Sequence, residues 1–232
     1  MSSRRLPEPW RRVLAAHLGF LELGGVTPRL QPGNPRPRLF RIHEAQAIIN
    51  RYGLNSVGVD AFVENLKTAR TKAIVGVNIG KNKETPNEKA VDDYEACLEK
   101  LYPHVSYVTL NISSPNTAGL RDLQDVTLLS ALLSRIRSKR DQLRDRHGRH
   151  VAVALKIAPD LDDAQVSDIA IVARREKVDG IVATNTTVSR DSVLQFKFGK
   201  EQGGLSGAPL RERSTHVLRS LAQELKGEKA PV

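Results

Sequence analysis

Short, continuous runs of apolar and largely β-branched residues recur along the chain at 18–23, 73–79, 107–112, 151–157 and 180–183. None alternates apolar with polar, so each predicts a strand buried on both faces, as in a parallel sheet. Amphipathic stretches at 61–70, 92–101, 126–146 and 162–177 lie between the runs. In the first of them Phe62, Val63, Leu66 and Ala69 share one helical face. Strand alternating with helix predicts crossover units packed into a parallel sheet wrapped by helices, either doubly wound or closed as a barrel. No Pro-rich or Ser-rich linker interrupts the alternation, which predicts one domain. Segment 27–41, with Pro28, Pro32, Pro35 and Pro37, is expected to be an irregular loop over the base of the sheet. Residues 9–21 also fit an interfacial helix, with Trp10, Val13, Leu14, Leu18 and Leu21 on one side and Arg11 and Arg12 available to meet lipid. Its end overlaps the first strand, and the strand is the preferred reading.

Composition narrows the class. The chain has 232 residues, 40% of them hydrophobic and 4% aromatic, and it contains no apolar run approaching the ~18 residues of a membrane span. The single cysteine, Cys97, allows neither an internal disulfide nor a cysteine-based zinc cluster, which fits a reducing compartment. The basic start lacks a clean apolar core and cleavage site, so an intracellular protein is expected. The formal net charge of +10 raises nucleic acid as a partner. No aromatic stacking platform or recognition motif accompanies it. The arginines between 135 and 149 fall at the end of a long predicted helix, where the dipole favours cations.

In such folds chemistry sits at the carboxyl ends of the strands. The polar residues collect there: Asn78 to Asn82 after the second run, Asn111 to Asn116 after the third, Lys156 in the fourth, and Thr184, Asn185 and Thr186 after the fifth. Several amides on one rim can read the edge of a planar polar ring without burying net charge. An in-strand lysine points at something anionic or electron-rich, or else reaches solvent. Ser114 is held extended by Pro115, which sets where its hydroxyl points. Residues 203–207, two glycines and then Leu-Ser-Gly ahead of a helix, read as a flexible turn or as a phosphate cradle. No carboxylate pair or His/Cys cluster stands at these ends, which argues against a hydrolase or a metal site.

Six segments in order carry a resemblance: Asn50-Arg51-Tyr52-Gly53-Leu54-Asn55-Ser56, Asn78-Ile79-Gly80-Lys81-Asn82, Asn111-Ile112-Ser113-Ser114-Pro115-Asn116-Thr117, Lys156-Ile157-Ala158-Pro159-Asp160-Leu161, Thr184-Asn185-Thr186-Thr187 and Gly203-Gly204-Leu205-Ser206-Gly207. Together they resemble the dihydroorotate dehydrogenases, FMN-containing (β/α)8 TIM-barrel enzymes of pyrimidine biosynthesis. Serine at position 114 resembles the quinone-reducing, membrane-associated class, as does the segment from Val26 to Arg41. The resemblance implies FMN held by Asn78, Asn111, Lys156, Thr184 and Gly207. It implies dihydroorotate bound by Asn50, Arg51, Tyr52, Gly53, Leu54, Asn111, Asn116, Asn185 and Thr186, with Ser114 as catalytic base. The implied partners are dihydroorotate or orotate and a quinone, without nucleic acid, at the cytoplasmic side of a membrane. Measured against the family, the chain is expected to hold about five of eight barrel strands in residues 18–232 behind a divergent segment 1–17. It would lack the family's helical anchor, an upstream lysine and a downstream phosphate loop. Gly25 stands where the family usually has a hydroxyl residue near the flavin. By itself the chain is expected to purify largely colourless and not to oxidise dihydroorotate at a useful rate. The alternatives are a non-catalytic fragment of the same barrel and a basic nucleic-acid binder.

Overall fold

The computed structural model describes residues 19–68 and 73–227. Five parallel strands form the main sheet: β1 (Phe20–Val26), β4 (Ile74–Ile79), β5 (Tyr107–Asn111), β6 (Ala152–Ile157) and β7 (Gly180–Ala183). Spatial order follows chain order in this sheet, as expected when each strand is returned by one crossover helix. The helices are α1 (Val59–Lys67), α2 (Ala90–Leu101), α3 (Val126–His147), α4 (Asp163–Arg175) and α5 (Arg211–Glu224). The expected strands and helices are thus present, β1 running three residues further than predicted. The interfacial-helix reading of 9–21 falls mostly outside the described residues, and Phe20 and Leu21 belong to β1.

The two faces of the sheet differ because successive side chains alternate. Val77, Ile79, Val108, Leu110, Val153, Leu155 and Ile157 point to the helical layer and are buried in one core with Tyr94, Leu98, Leu133, Ile136 and Ile169. The register aligns the opposite face: Gly76 beside Tyr107, Asn78 beside Thr109, and Asn111 beside Lys156 and then Val182. Gly76 has to be glycine, since a Cβ there would lie 1.9 Å from the Tyr107 ring.

Local chemistry sets the ends of α3. The Asp125 carboxylate accepts the Thr127 and Leu128 N–H groups at 2.9 and 3.3 Å, and Gly148 at φ 63° closes the other end with its N–H on Arg144 O. The basic cluster of this helix faces acids within the molecule. Arg135 forks onto Glu95, Lys139 and Arg146 meet Glu99, and Arg140 meets Asp179 at 2.8 Å.

A second sheet was not foreseen. Strands β2 (Leu39–Ile42), β3 (Ala47–Asn50) and β8 (Gly204–Gly207) pair antiparallel in the order β2-β3-β8. They bury Phe40, Ile42, Ile49 and Leu205 with Val193 in a separate small core. Two expectations are corrected here. The proline-rich segment is no loop over the base: its end is strand β2, and Arg29 N–H donates to Asn82 Oδ1 at 3.0 Å while Asn34 Nδ2 donates to Asn116 O. Both partners stand beyond the carboxyl ends of β4 and β5, so the segment covers the rim. Residues 204–207 are likewise a paired strand and no flexible cradle. Leu205 exchanges two backbone hydrogen bonds with Thr187 at 2.8 and 3.0 Å, which also ties this sheet to the loop after β7.

Candidate active site

The carboxyl ends of β4, β5 and β7 bring three asparagines into one hydrogen-bonded chain. Asn78 Nδ2 donates to Glu22 Oε1 at 3.1 Å, Asn111 Nδ2 to Asn78 Oδ1 at 3.1 Å, and Asn185 Nδ2 to Asn111 Oδ1 at 3.2 Å and to Ser113 Oγ at 3.1 Å. An ionised carboxylate only accepts, so Glu22 dictates which way the Asn78 amide faces, and each amide then fixes the next. Glu22 also accepts the Thr109 hydroxyl at 2.7 Å. The Tyr107 phenol, partly buried and beside Glu22, is pushed up to about 12. The sequence held no signal for Glu22, because an acidic residue in a β1 run gives no indication of which face it occupies. Below Asn111, the buried Tyr94 hydroxyl donates to its carbonyl at 3.0 Å and pins the end of β5; burial raises this phenol well above its ordinary value.

Lys156 sits beside Asn111 on the same face, half-buried, and makes no hydrogen bond or ion pair with any described residue. Thr184 follows β7 on this rim, its hydroxyl turned to Asn185 O at 2.9 Å. An unpaired ammonium next to fixed amides, at the carboxyl ends of adjoining strands, is a donor set suited to a flat ring with carbonyl edges.

A cleft of about 340 Å³ opens beside the amide chain, between the loops after β5 and β7 and the segment after β3. Its walls contain Asn50, Tyr52, Gly53, Leu54, Asn111, Ser114, Asn116, Asn185 and Thr186, so nearly all of the expected substrate residues meet there. Arg51 does not line it: its guanidinium meets Glu201 at 2.7 Å and lies over the Phe40 ring, on the second sheet. Nor does Gly207, which pairs with Ala47 at the far end of β8 and whose absent Cβ would lie 2.2 Å from Gln46 O. Asn78, Lys156 and Thr184 lie beside the cleft on the sheet face. The wall at 50–56 is held from the proline-rich segment, Gln31 Nε2 donating to Leu54 O at 2.8 Å and Asn34 N–H to Tyr52 O at 2.9 Å. Leu54 adopts φ 52°, and its Cδ2 lies 2.7 Å from where a Cβ on Gly25 would be.

Ser114 is buried in the wall, and its Oγ accepts the Asn116 N–H at 3.3 Å. That bond uses one lone pair and leaves the hydroxyl proton free to be given away. Asn116 Nδ2 in turn donates to Asn50 O at 3.1 Å, joining the serine loop to β3. Arg121, which the sequence reading passed over, donates to Ser113 O at 3.1 Å, to Asp160 Oδ2 at 2.7 Å and to Thr186 O at 2.8 Å.

Residues 8–230 match the family model described as dihydroorotate dehydrogenase. A protein of Thiobacillus denitrificans named dihydroorotate dehydrogenase (quinone) is 56% identical over 215 residues, which cover 93% of this chain and 64% of that protein. One of the same name from Methylobacillus flagellatus is 54% identical, over 90% of this chain and 62% of its own. Two solved Eimeria tenella DHODH structures also resemble this chain. The complex with ferulenol superposes with a TM-score of 0.84 at 36% identity, covering 91% of this chain and 62% of that one. The ligand-free form gives 0.83 at 37% identity, with 91% and 64% covered. The chain therefore spans a little over three-fifths of the length of these relatives.

Proposed function

The chain belongs to the dihydroorotate dehydrogenase family, and on that premise we propose that its cleft dehydrogenates dihydroorotate to orotate with FMN on the adjoining sheet face and a quinone as final acceptor. The observation that carries the reading is the amide chain Asn78, Asn111 and Asn185, oriented from Glu22 and flanked by the unpaired Lys156 on one side and Ser114 on the other. Asn111, Asn116, Asn185 and Thr186 present amide and hydroxyl groups to a ureide ring with no carboxylate among them, so an anionic substrate meets no repulsion from the wall. Asn78, Asn111, Lys156 and Thr184 would hold FMN, which when bound supplies the two-electron acceptor. Lys156 places positive charge where reduction builds negative charge. Ser114 takes the ring methylene proton as hydride leaves the neighbouring carbon and the C=C bond forms. Serine is a weak base at its ordinary pKa, so its own proton passes to solvent or a neighbouring hydroxyl as it accepts the new one. Arg51 and Gly207 contribute through the second sheet, which backs the cleft.

No helix among the described residues is long and apolar enough to cross a membrane. A lipid-soluble acceptor favours peripheral contact with a membrane, the cytoplasmic side being taken from the family resemblance. Anaerobic titration with dihydroorotate of the purified protein supplied with FMN tests the reading. Bleaching of the flavin bands, reversed by a short-chain quinone, is the expected result. A protein that binds FMN and orotate yet shows no dihydroorotate-dependent bleaching would overturn it.

A further inference from the structure

We propose that Arg121 is a positioning residue that sets the Ser114 loop against the Thr186 loop, through Asp160; the inference rests on the reading of the cleft above. The three guanidinium nitrogens reach three different segments. Nε donates to Ser113 O, the carbonyl immediately before Ser114; Nη2 donates to Thr186 O; and Nη1 pairs with Asp160, which follows β6. Asp160 spends its remaining capacity on the same loop, accepting the Thr187 hydroxyl and, at 3.1 Å, the Val188 N–H. The pair is about four-fifths buried, at 21% and 22% side-chain exposure, so its bonds are little screened. The short helical turn that carries Arg121 (Leu120–Gln124) is itself fixed: Leu120 and Leu123 are buried, and Gln124 Oε1 accepts the Ala158 N–H at 2.8 Å.

The ends of β5, β6 and β7 thus converge on one planar cation. Removing it leaves two carbonyls and a carboxylate facing each other across the junction behind the cleft wall. A lysine could keep the charge near Asp160 but has no fork with which to hold Ser113 O and Thr186 O at once. Arg121 touches neither the cleft nor the substrate residues' side chains, so its effect should fall on the geometry of proton removal. A misplacement on the order of 1 Å at such a group costs about 10²-fold in rate.

The test is Arg121→Lys in the flavin-loaded protein. Three readouts are taken: the rate of flavin bleaching at saturating dihydroorotate, the Kd for orotate, and backbone hydrogen exchange across 112–118 and 186–188. Expected is a fall in the bleaching rate of about 10- to 100-fold, with flavin content within threefold of the parent, orotate affinity weakened by a smaller factor than the rate because Thr186 is also a wall residue, and exchange accelerated only in those two loops. A parental bleaching rate with unchanged exchange overturns the proposal. So does a loss spread over flavin content, affinity and exchange throughout the fold, which would mark the arginine as a general stabiliser. Asp160→Asn, the same size, serves if the lysine variant does not fold; it should slow bleaching and loosen the 186–188 loop, and parental values for both would overturn the idea. Should the parent itself show no bleaching, the functional reading falls while loop exchange in the variant still decides the role of Arg121.

Discussion

Gly204→Ala probes how tightly the second sheet is pressed against the cleft. A Cβ at residue 204 would lie 1.9 Å from Thr186 Oγ1, 2.7 Å from Thr186 Cβ and 3.1 Å from Pro115 Cγ. Rotating the threonine moves Oγ1 but leaves Cβ in place, so the backbone at 186 must retreat. That backbone is held at both its polar groups: Thr186 N–H donates to Asn185 Oδ1 at 2.8 Å, and Thr186 O accepts from Arg121. Overpacking of a fixed site costs about 1–3 kcal/mol. At roughly 2–4 °C per kcal/mol for a domain of this size, the melting temperature should fall by about 2–12 °C. The same retreat moves Thr186 and Pro115 in the cleft wall, so orotate affinity should weaken as well. Thermal melting and an orotate titration measure the two effects. Thr186→Gly removes the two closest obstacles, and the double variant should be less destabilised than the sum of the singles by about 0.5–3 kcal/mol. Parental melting and parental orotate binding in Gly204→Ala would refute the argument that this contact sets the wall.

Ser114→Ala should lower turnover by at least about 10²-fold, the scale of positioned proton transfer, while flavin content is retained; near-parental turnover would remove the serine from its role. Lys156→Met should weaken FMN binding by roughly tenfold to a hundredfold, the equivalent of one charge-assisted contact of about 1.5–3 kcal/mol, as read by equilibrium fluorescence titration. Asp125→Ala strips the cap from α3 and should cost about 1 kcal/mol in denaturant unfolding. Cys97 is fully buried, and burial raises its thiol above the ordinary 9.0, so it should resist thiol reagents until the protein unfolds. The folded thiol keeps its proton where the unfolded one loses it; stability from this group is therefore complete below pH 9 and declines as pH rises beyond it. Cys97→Ala should flatten that decline without abolishing it, because the buried Tyr94 acts in the same direction.

The parallel sheet, its helices and the rim of amides were legible along the chain because each depends on neighbours in sequence. A strand covered on both faces must be apolar throughout, so residues 107–112 and 151–157 announce themselves, and polar residues directly after such a run can only stand at its carboxyl end. Asn78, Asn111, Lys156 and Asn185 were found on that ground alone, and the six segments in order supplied the family. The second sheet had no such signal. Its strands are four residues each, and β3 meets β8 across more than 150 positions, Asn50 opposite Gly204; short strands paired over that distance leave no local period to read. The same limit applies to Arg51, whose neighbours in sequence lie at the cleft while its own side chain pairs with Glu201 outside it. Glu22 and Arg121 looked like any charged residue, since what distinguishes them is direction: one orients a chain of amides, and the other gathers three strand ends. Periodicity and composition determine which elements form and which face of each is apolar. Only the packed molecule decides which carbonyls a guanidinium can reach, because that depends on distances between segments no sequence spacing encodes.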